Sequence, residues 1–310
     1  MRILLFSDPH YSVDSRIEEE KWFPPICTWL EKIQKKFKLQ TNLVEKFLSF
    51  WDRLTQKKTE LIFEEAKKHG PYDFIIGLGG YTPGTNESGM ITKKSVEQFM
   101  IFKKLFHKYF PLTLSLFVWG DHDAGYKFDV SGKTGMKIGT ETGGISVESV
   151  MSAKILIGMP YGTSIMNNAR FIYLSTNLIR NVDKNSSDEL KILAEKQMEY
   201  VIHELLEARS DYLTFLLLHD PTALKLNGQI MDAIEANGNV IIFHGHMHAG
   251  FSAFIARIFY PFYQHLCKRF ETYIVPAPWG MFGIGGGFLI ADLKENGFEV
   301  KKIKTPKLKS

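Results

Sequence analysis

Short runs of apolar residues, each cut off by an aspartate, glycine, proline or histidine, recur along the chain: ILLFSD, YDFIIGLGG, LSLFVWGD, AKILIGMPYG, YLTFLLLHD, NVIIFHGH and ETYIVPAP. Runs of this length bounded by turn-forming residues predict buried strands. Between many of them, helical periodicity marks residues 42–69, 94–109 and 187–208. The alternation predicts a layered α/β or α+β architecture with a mixed central sheet. In open sheets of this kind ligands bind just beyond the strand ends, where loops present polar groups while the strands stay packed. The residues that terminate the runs are therefore the first place to look for chemistry.

Two stretches exceed what a simple crossover needs. Residues 15–68 read as a largely helical insertion, with Trp22, Trp29 and Trp51, and residues 250–270 form an aromatic segment that includes Phe254, Phe259 and Tyr263. Residues 131–144, rich in Gly, Thr and Lys, read as a mobile loop. With no internal repeat, the 310 residues are expected to form one domain, 1–310, carrying these insertions.

Composition narrows the classes without choosing among them. A hydrophobic share of 45% and a charged share of 23% exclude wholesale disorder and a coiled coil. The net charge of +4 is a mild excess, much of it in the closing KKIKTPKLKS, and the KKFK and KKTE stretches read as solvated helix faces. No dedicated nucleic-acid surface is expected. Cys27 and Cys267 stand far apart in apolar surroundings and read as buried thiols rather than a disulfide framework. The opening MRILLFSDPH is too short an apolar run for a signal peptide and reads as a strand, which makes a cytoplasmic location the expectation. The apolar stretch 251–267 carries Arg257, Pro261, Gln264 and His265 and makes a poor membrane span.

Four groups of ligand-type residues follow strand-like runs: Asp8-Pro9-His10, Gly120-Asp121-His122-Asp123, His219 with Asp220-Pro221, and His244-Gly245-His246-Met247-His248. Asp-x-His alone says little. Three histidines at alternate positions within five residues are hard to explain as core packing, and together they point to metal ligation.

The order of these blocks resembles the calcineurin-like metallophosphoesterase superfamily, whose pattern runs Asp-x-His, Gly-Asp, Gly-Asn-His-Asp/Glu, an isolated His, then Gly-His-x-His. The matching positions are Asp8-Pro9-His10, Gly79-Gly80, Gly120-Asp121-His122-Asp123, His219 and Gly245-His246-Met247-His248. The resemblance extends to a closing hairpin in GGGFLIADLKENGFEVKKI. It implies a four-layer sandwich of mixed sheets flanked by helices, and two divalent ions (Mn, Fe or Zn). Asp8, His10 and His248 would hold one ion, and His219 and His246 the other. His122 would be the histidine near the substrate, with Asp123 orienting it.

Two positions depart from the pattern. Gly80 stands where the family has the aspartate shared by both ions, and Asp121 stands where it has asparagine. One carboxylate is lost and one gained, so Asp121 is expected to bind the second ion and partly to replace the bridge.

The expected activity is hydrolysis of a phosphomonoester or phosphodiester by a water activated by two metals. The aromatic insertions would suit a nucleotide-linked or amphiphilic substrate if they cap the site, and interfacial attachment to a membrane is a weaker reading of the same segments. Mutual packing of those aromatics is the plain alternative. Two other functions compete: a degenerate, non-catalytic scaffold, for which Gly80 speaks, and a nuclease of the same superfamily, for which a stronger basic surface would be expected.

Overall fold

The computed structural model describes residues 1–12, 24–39, 42–82, 91, 93–121, 123–124, 145–207, 212–247, 261–278, 286–295 and 297–306. In chain order the elements are β1 (Arg2–Phe6), α1 (Pro24–Lys36), α2 (Leu43–His69), β2 (Phe74–Gly77), α3 (Lys93–Tyr109), β3 (Leu114–Phe117) and α4 (Val147–Leu156). There follow β4 (Gly162–Met166), β5 (Ala169–Tyr173), α5 (Thr176–Arg180), α6 (Asp188–Leu206), β6 (Leu213–Leu218) and a 3-10 helix (Pro221–Leu226). The chain ends with α7 (Gly228–Asn237), β7 (Val240–His244), α8 (Pro261–Arg269), β8 (Glu271–Ile274), β9 (Gly287–Lys294) and β10 (Gly297–Lys304).

These strands form two five-stranded mixed sheets, ordered β10-β9-β1-β2-β3 and β4-β5-β6-β7-β8. Strand alternation decides which side chains go where. From β1, Ile3 and Leu5 enter the seam between the sheets, where Phe74, Ile76, Phe215, Leu217, Ile241 and Phe243 join them. The intervening Leu4 and Phe6 face outward onto Phe63 of α2 and Phe102 and Phe106 of α3. On the other sheet Leu216 and Leu218 pack on Val201 and Leu205 of α6 and on Ile230 and Ile234 of α7. Both faces of the central strands are covered, which is why they read as continuous apolar runs. The result is the expected four-layer order of helices, sheet, sheet, helices.

Helix α2 begins where the sequence signals it. The Asn42 side chain accepts a hydrogen bond from Glu45 N, satisfying one of the amides a helix start leaves without a partner. The closing hairpin also forms, as β9 and β10 in antiparallel register.

One expected strand is absent. Residues 153–156 of AKILIGMPYG form the last turn of α4, capped at its start by Ser146, whose side chain accepts from Ser149 N. A short apolar run cannot by itself distinguish strand from buried helix, and here the cap upstream decides it. The strands of this region lie later, in the β4–β5 hairpin, which turns through Asn167 at φ 53°, a left-handed backbone that asparagine tolerates.

The strand directions locate the site. Strands β1, β2 and β3 run parallel, as do β5, β6, β7 and β8. The loops leaving the carboxyl ends of β1, β2, β3, β6 and β7 converge across the edge of the sandwich. No helix among the described residues is long and apolar enough to cross a membrane.

Candidate metal centre

Backbone hydrogen bonds zip the first two of these loops together. Asp8 N donates to Gly79 O, His10 N to Gly80 O and Tyr11 N to Tyr81 O, at 2.8 to 2.9 Å. The third loop is stapled on by Asp123. Its Oδ2 accepts from Gly80 N and Gly120 N at 2.8 Å each, and its Oδ1 accepts from Tyr81 N at 2.9 Å. Burial raises the Asp123 carboxyl to about 6, with the His219 imidazole pulling the other way. The backbones pass so closely that a β-carbon at position 120 would lie 2.2 Å from Gly80 N, so glycine is required there. Asn177 on α5 completes the fastening, its Nδ2 donating to Gly120 O and Asp121 O at 3.1 and 3.0 Å.

This packing holds the loops in an uncommon backbone conformation. Five described residues other than glycine have positive φ, and three of them are Asp8 at 51°, His10 at 40° and His246 at 61°. Such conformations are unfavourable for residues with a side chain and persist only where the surroundings impose them, commonly at functional sites.

Asp121, His219 and His246 offer donor atoms that all lie within 4.8 Å of one another. His219 Nε2 is 3.0 Å from Asp121 Oδ1, and His246 Nδ1 is 3.2 Å from Asp121 Oδ2. The His219 tautomer follows from its other nitrogen: Nδ1 is 2.6 Å from Leu78 O, and a carbonyl only accepts. Nδ1 therefore carries a proton, and Nε2, which faces the carboxylates, is the nitrogen that would ligate an ion in exchange for its own proton.

Asp8 lies beside this group. Its Oδ1 is 3.7 Å from His219 Nε2 and 3.7 Å from His10 Nε2. Its Oδ2 accepts from Ser7 Oγ at 2.6 Å and from His246 N at 2.9 Å, which ties β1 of one sheet to the loop after β7 of the other. Asp8, His10, Asp121 and His219 are buried, whereas the His246 side chain keeps 22% of its surface exposed.

The local field favours a cation. Burial alone would lower the His219 pKa, but the carboxylates of Asp8 and Asp121 outweigh it and lift it to about 10. At His246 burial is likewise outweighed, by Asp220 and Asp121. A carboxylate and two imidazoles in this arrangement fit a divalent Mn, Fe or Zn ion, and the residues present therefore suit the ions the fold family implies.

The sequence blocks are thus largely brought together: Asp8, His10, Asp121, His219 and His246 form one cluster, with Asp123 beneath it. His122 and His248 lie outside the described residues, as does the segment 131–144. The contacts of Asp123 are those of a loop fastener. Its expected pairing with His122 falls on a residue outside the described set.

Three participants carried little or no sequence signal. Asp220 is buried 4.0 Å from His246 Nε2 and pairs with Arg180 at 2.6 Å, while Oδ1 accepts from Thr222 N and Oγ1. Burial would raise its carboxyl, but His246 and Arg180 draw it below the ordinary range. The Asp-Pro step after His219 was a faint pointer, since it caps the 3-10 helix; Arg180 and Asn177 had none.

His244, the first of the three clustered histidines, plays a different part. Its Nδ1 donates to Gly245 O at 3.0 Å, so Nε2 accepts from Tyr263 Oη at 2.9 Å. Burial lowers its pKa to about 4 and keeps it neutral. Tyr263 of α8, a candidate cap residue, is itself fully buried, whereas Trp29 of α1 is 59% exposed. Trp22, Phe254 and Phe259 lie outside the described residues.

Three solved structures show the wider similarity. A dimetal phosphatase from Danio rerio superposes with a TM-score of 0.56 at 11% identity, covering 99% of this chain and 97% of the other. A purple acid phosphatase from yellow lupin gives 0.43 at 12% identity over 80% of this chain and 38% of its own. A phosphopantetheinyl hydrolase from Mycobacterium tuberculosis gives 0.35 at 8% identity over 89% and 90%. No curated protein matches the sequence. The family model for calcineurin-like phosphoesterases matches residues 1–250, the stretch that holds every loop described above, and the chain belongs to that family.

Proposed function

We propose that this protein is a metal-dependent hydrolase of phosphoesters that works with two divalent ions. The observation that carries the reading is the Asp121–His219–His246 cluster, donor atoms within 4.8 Å, set directly beside the Asp8 and His10 pair. Asp121 is the decisive residue. It supplies a negative charge where the family has a neutral asparagine, and it compensates the carboxylate missing at Gly80.

In this reading Asp8, His10 and His248 hold one ion, and Asp121, His219 and His246 hold the other. Bound there, divalent ions supply an acidified water and neutralise charge on the phosphoryl group. The chain's own residues set the conditions for that chemistry. Leu78 O fixes the His219 Nδ1 proton, Asp123 keeps the loops at one spacing, and His246 is the most exposed of the described donors. His122 is assigned the proton donated to the leaving oxygen, a role suited to a group titrating near neutrality. The substrate is assigned as a phosphomonoester or phosphodiester, nucleotide-linked or amphiphilic, on the strength of the aromatic residues that the sequence carries in 15–68 and 250–270.

The test is hydrolysis of bis-p-nitrophenyl phosphate and p-nitrophenyl phosphate by metal-stripped protein supplied in turn with Mn, Zn and Mg. Turnover of either ester with at least one metal is expected. Inactivity on both with all three would favour the scaffold reading, for which Gly80 is the one specific argument. In parallel, Asp121→Ala should lose about one metal equivalent by metal analysis. Unchanged occupancy would remove Asp121 from the ligand set.

A further inference from the structure

Gly80 removes the side chain that the family pattern places between the two ions, and the geometry around it shows what takes up the space. Gly80 has φ 68°, and a β-carbon built on it would lie 2.8 Å from Asp8 Oδ1 and 3.1 Å from Asp8 Cα. The volume a residue-80 side chain would enter is therefore already filled by the Asp8 carboxylate.

That carboxylate is held through Oδ2, by Ser7 Oγ at 2.6 Å and His246 N at 2.9 Å. The anchoring directs Oδ1 to a point 3.7 Å from His10 Nε2 and equally 3.7 Å from His219 Nε2. Two donors about 2.1 Å from one ion stand roughly 3.0–3.4 Å apart in tetrahedral or octahedral coordination. A contraction of a few tenths of an ångström thus lets Oδ1 share an ion with each imidazole. The two imidazoles belong to different ions in the reading above. Asp121, by contrast, directs its two oxygens at His219 and His246, which serve the same ion.

We propose that Asp8 Oδ1 is the oxygen shared by the two ions, and that Gly80 is the small residue that admits it. The bridge has moved from the loop after β2 to the loop after β1. This inference rests on the two-metal phosphoesterase reading and assigns its central ligand. It makes Asp8 a residue on which both ions depend and Asp121 one on which a single ion depends.

Manganese gives a readout independent of turnover. Metal-stripped protein is loaded with Mn, counted by metal analysis after gel filtration, and examined by electron paramagnetic resonance, in which two Mn ions sharing an oxygen atom give an exchange-coupled signal. The wild type is expected to bind two coupled ions. Asp8→Asn can still accept the Ser7 and His246 hydrogen bonds through its carbonyl, but it presents an amide nitrogen to the ions; the coupled signal should vanish and the count fall to one or fewer. Gly80→Ala replaces no ligand and presses its β-carbon on Asp8, nearest to Oδ1 at 2.8 Å and next to Cα at 3.1 Å, so in protein that remains folded it should weaken the second ion's binding by about tenfold or more and diminish the coupling.

Persistence of two coupled ions in Gly80→Ala, or in a folded Asp8→Asn, overturns the shared-oxygen assignment. Two uncoupled ions in the wild type also overturn it but leave the phosphoesterase reading intact. Fewer than two ions in the wild type overturn both.

Discussion

The loops after β1, β2 and β3 and those after β6 and β7 meet at one cluster but are secured by different means. On the first sheet the fastening is largely backbone: three N–H to carbonyl bonds between the loops after β1 and β2, and three amides gathered by Asp123. On the second sheet one backbone bond, Gly245 N to His219 O, joins the loops after β6 and β7, and the rest is side-chain chemistry: Arg180 against Asp220, Asp220 near His246, and His244 against Tyr263. The main-chain bonds set the spacing of the loops, because no rotamer change can relax them, and the one buried Asp123 carboxylate binds three amides of two loops at once. Side-chain fastening sets the orientation and charge of individual imidazoles. The first sheet should therefore fail as a unit when its staple is removed, and the second should fail residue by residue.

The sharpest test of that contrast is Asp123→Ala, which leaves the buried amides of Gly80, Tyr81 and Gly120 without their acceptor. At about 1–3 kcal/mol for each such group, the unfolding free energy from urea titration should drop by at least about 3 kcal/mol, and metal binding should fall with it. A loss below about 1 kcal/mol would show that the staple is dispensable. Arg180→Met comes next. It strands the Asp220 carboxylate, which is buried, and breaking such a pair from one side costs about 3 kcal/mol or more. The contrast predicts that this variant keeps the Asp121–His219 geometry and perturbs His246, which nuclear magnetic resonance of the imidazole protons would report.

The pH dependence of the second sheet has a definite sign. The His244 pKa falls from 6.5 to about 4 on folding, so the unfolded chain takes up the proton first as pH drops. Its contribution is complete above about 6.5 and is lost as pH falls toward 4, by at most about 3 kcal/mol. Urea midpoints measured across that window should fall less steeply for His244→Gln than for the wild type; identical slopes would exclude His244 as the group responsible. The smallest effect is expected for Tyr263→Phe, which removes only the hydroxyl donated to His244 Nε2 and should cost about 1 kcal/mol with the first-sheet loops undisturbed.

Much of this arrangement was legible before the fold was known. Six of the seven apolar runs are strands, because a run of that length between turn residues has few other uses. The seventh failed where a helix cap at Ser146 outweighed the local pattern. Strand ends also announced Asp8, His10, Asp121, His219 and His246, since ligand-type residues at those points recur in one order. The roles within the clusters were less legible. His244 and His246 are two positions apart on the same loop, yet one is tied to Tyr263 and the other faces Asp121. Asp123 read as a partner for His122, and its described bonds are to backbone amides. Each distinction depends on a neighbour from a distant part of the chain.

The sequence by itself determined the layered architecture, the family and the positions from which the candidate ligands are drawn, because strand periodicity and block order are local properties of the chain. Only the tertiary structure decided what the exchange of an aspartate for Gly80 means. Residue 80 and residue 8 are far apart along the chain and in direct contact across the parallel β1–β2 pair. The space one gives up and the other fills exists only once those strands lie side by side.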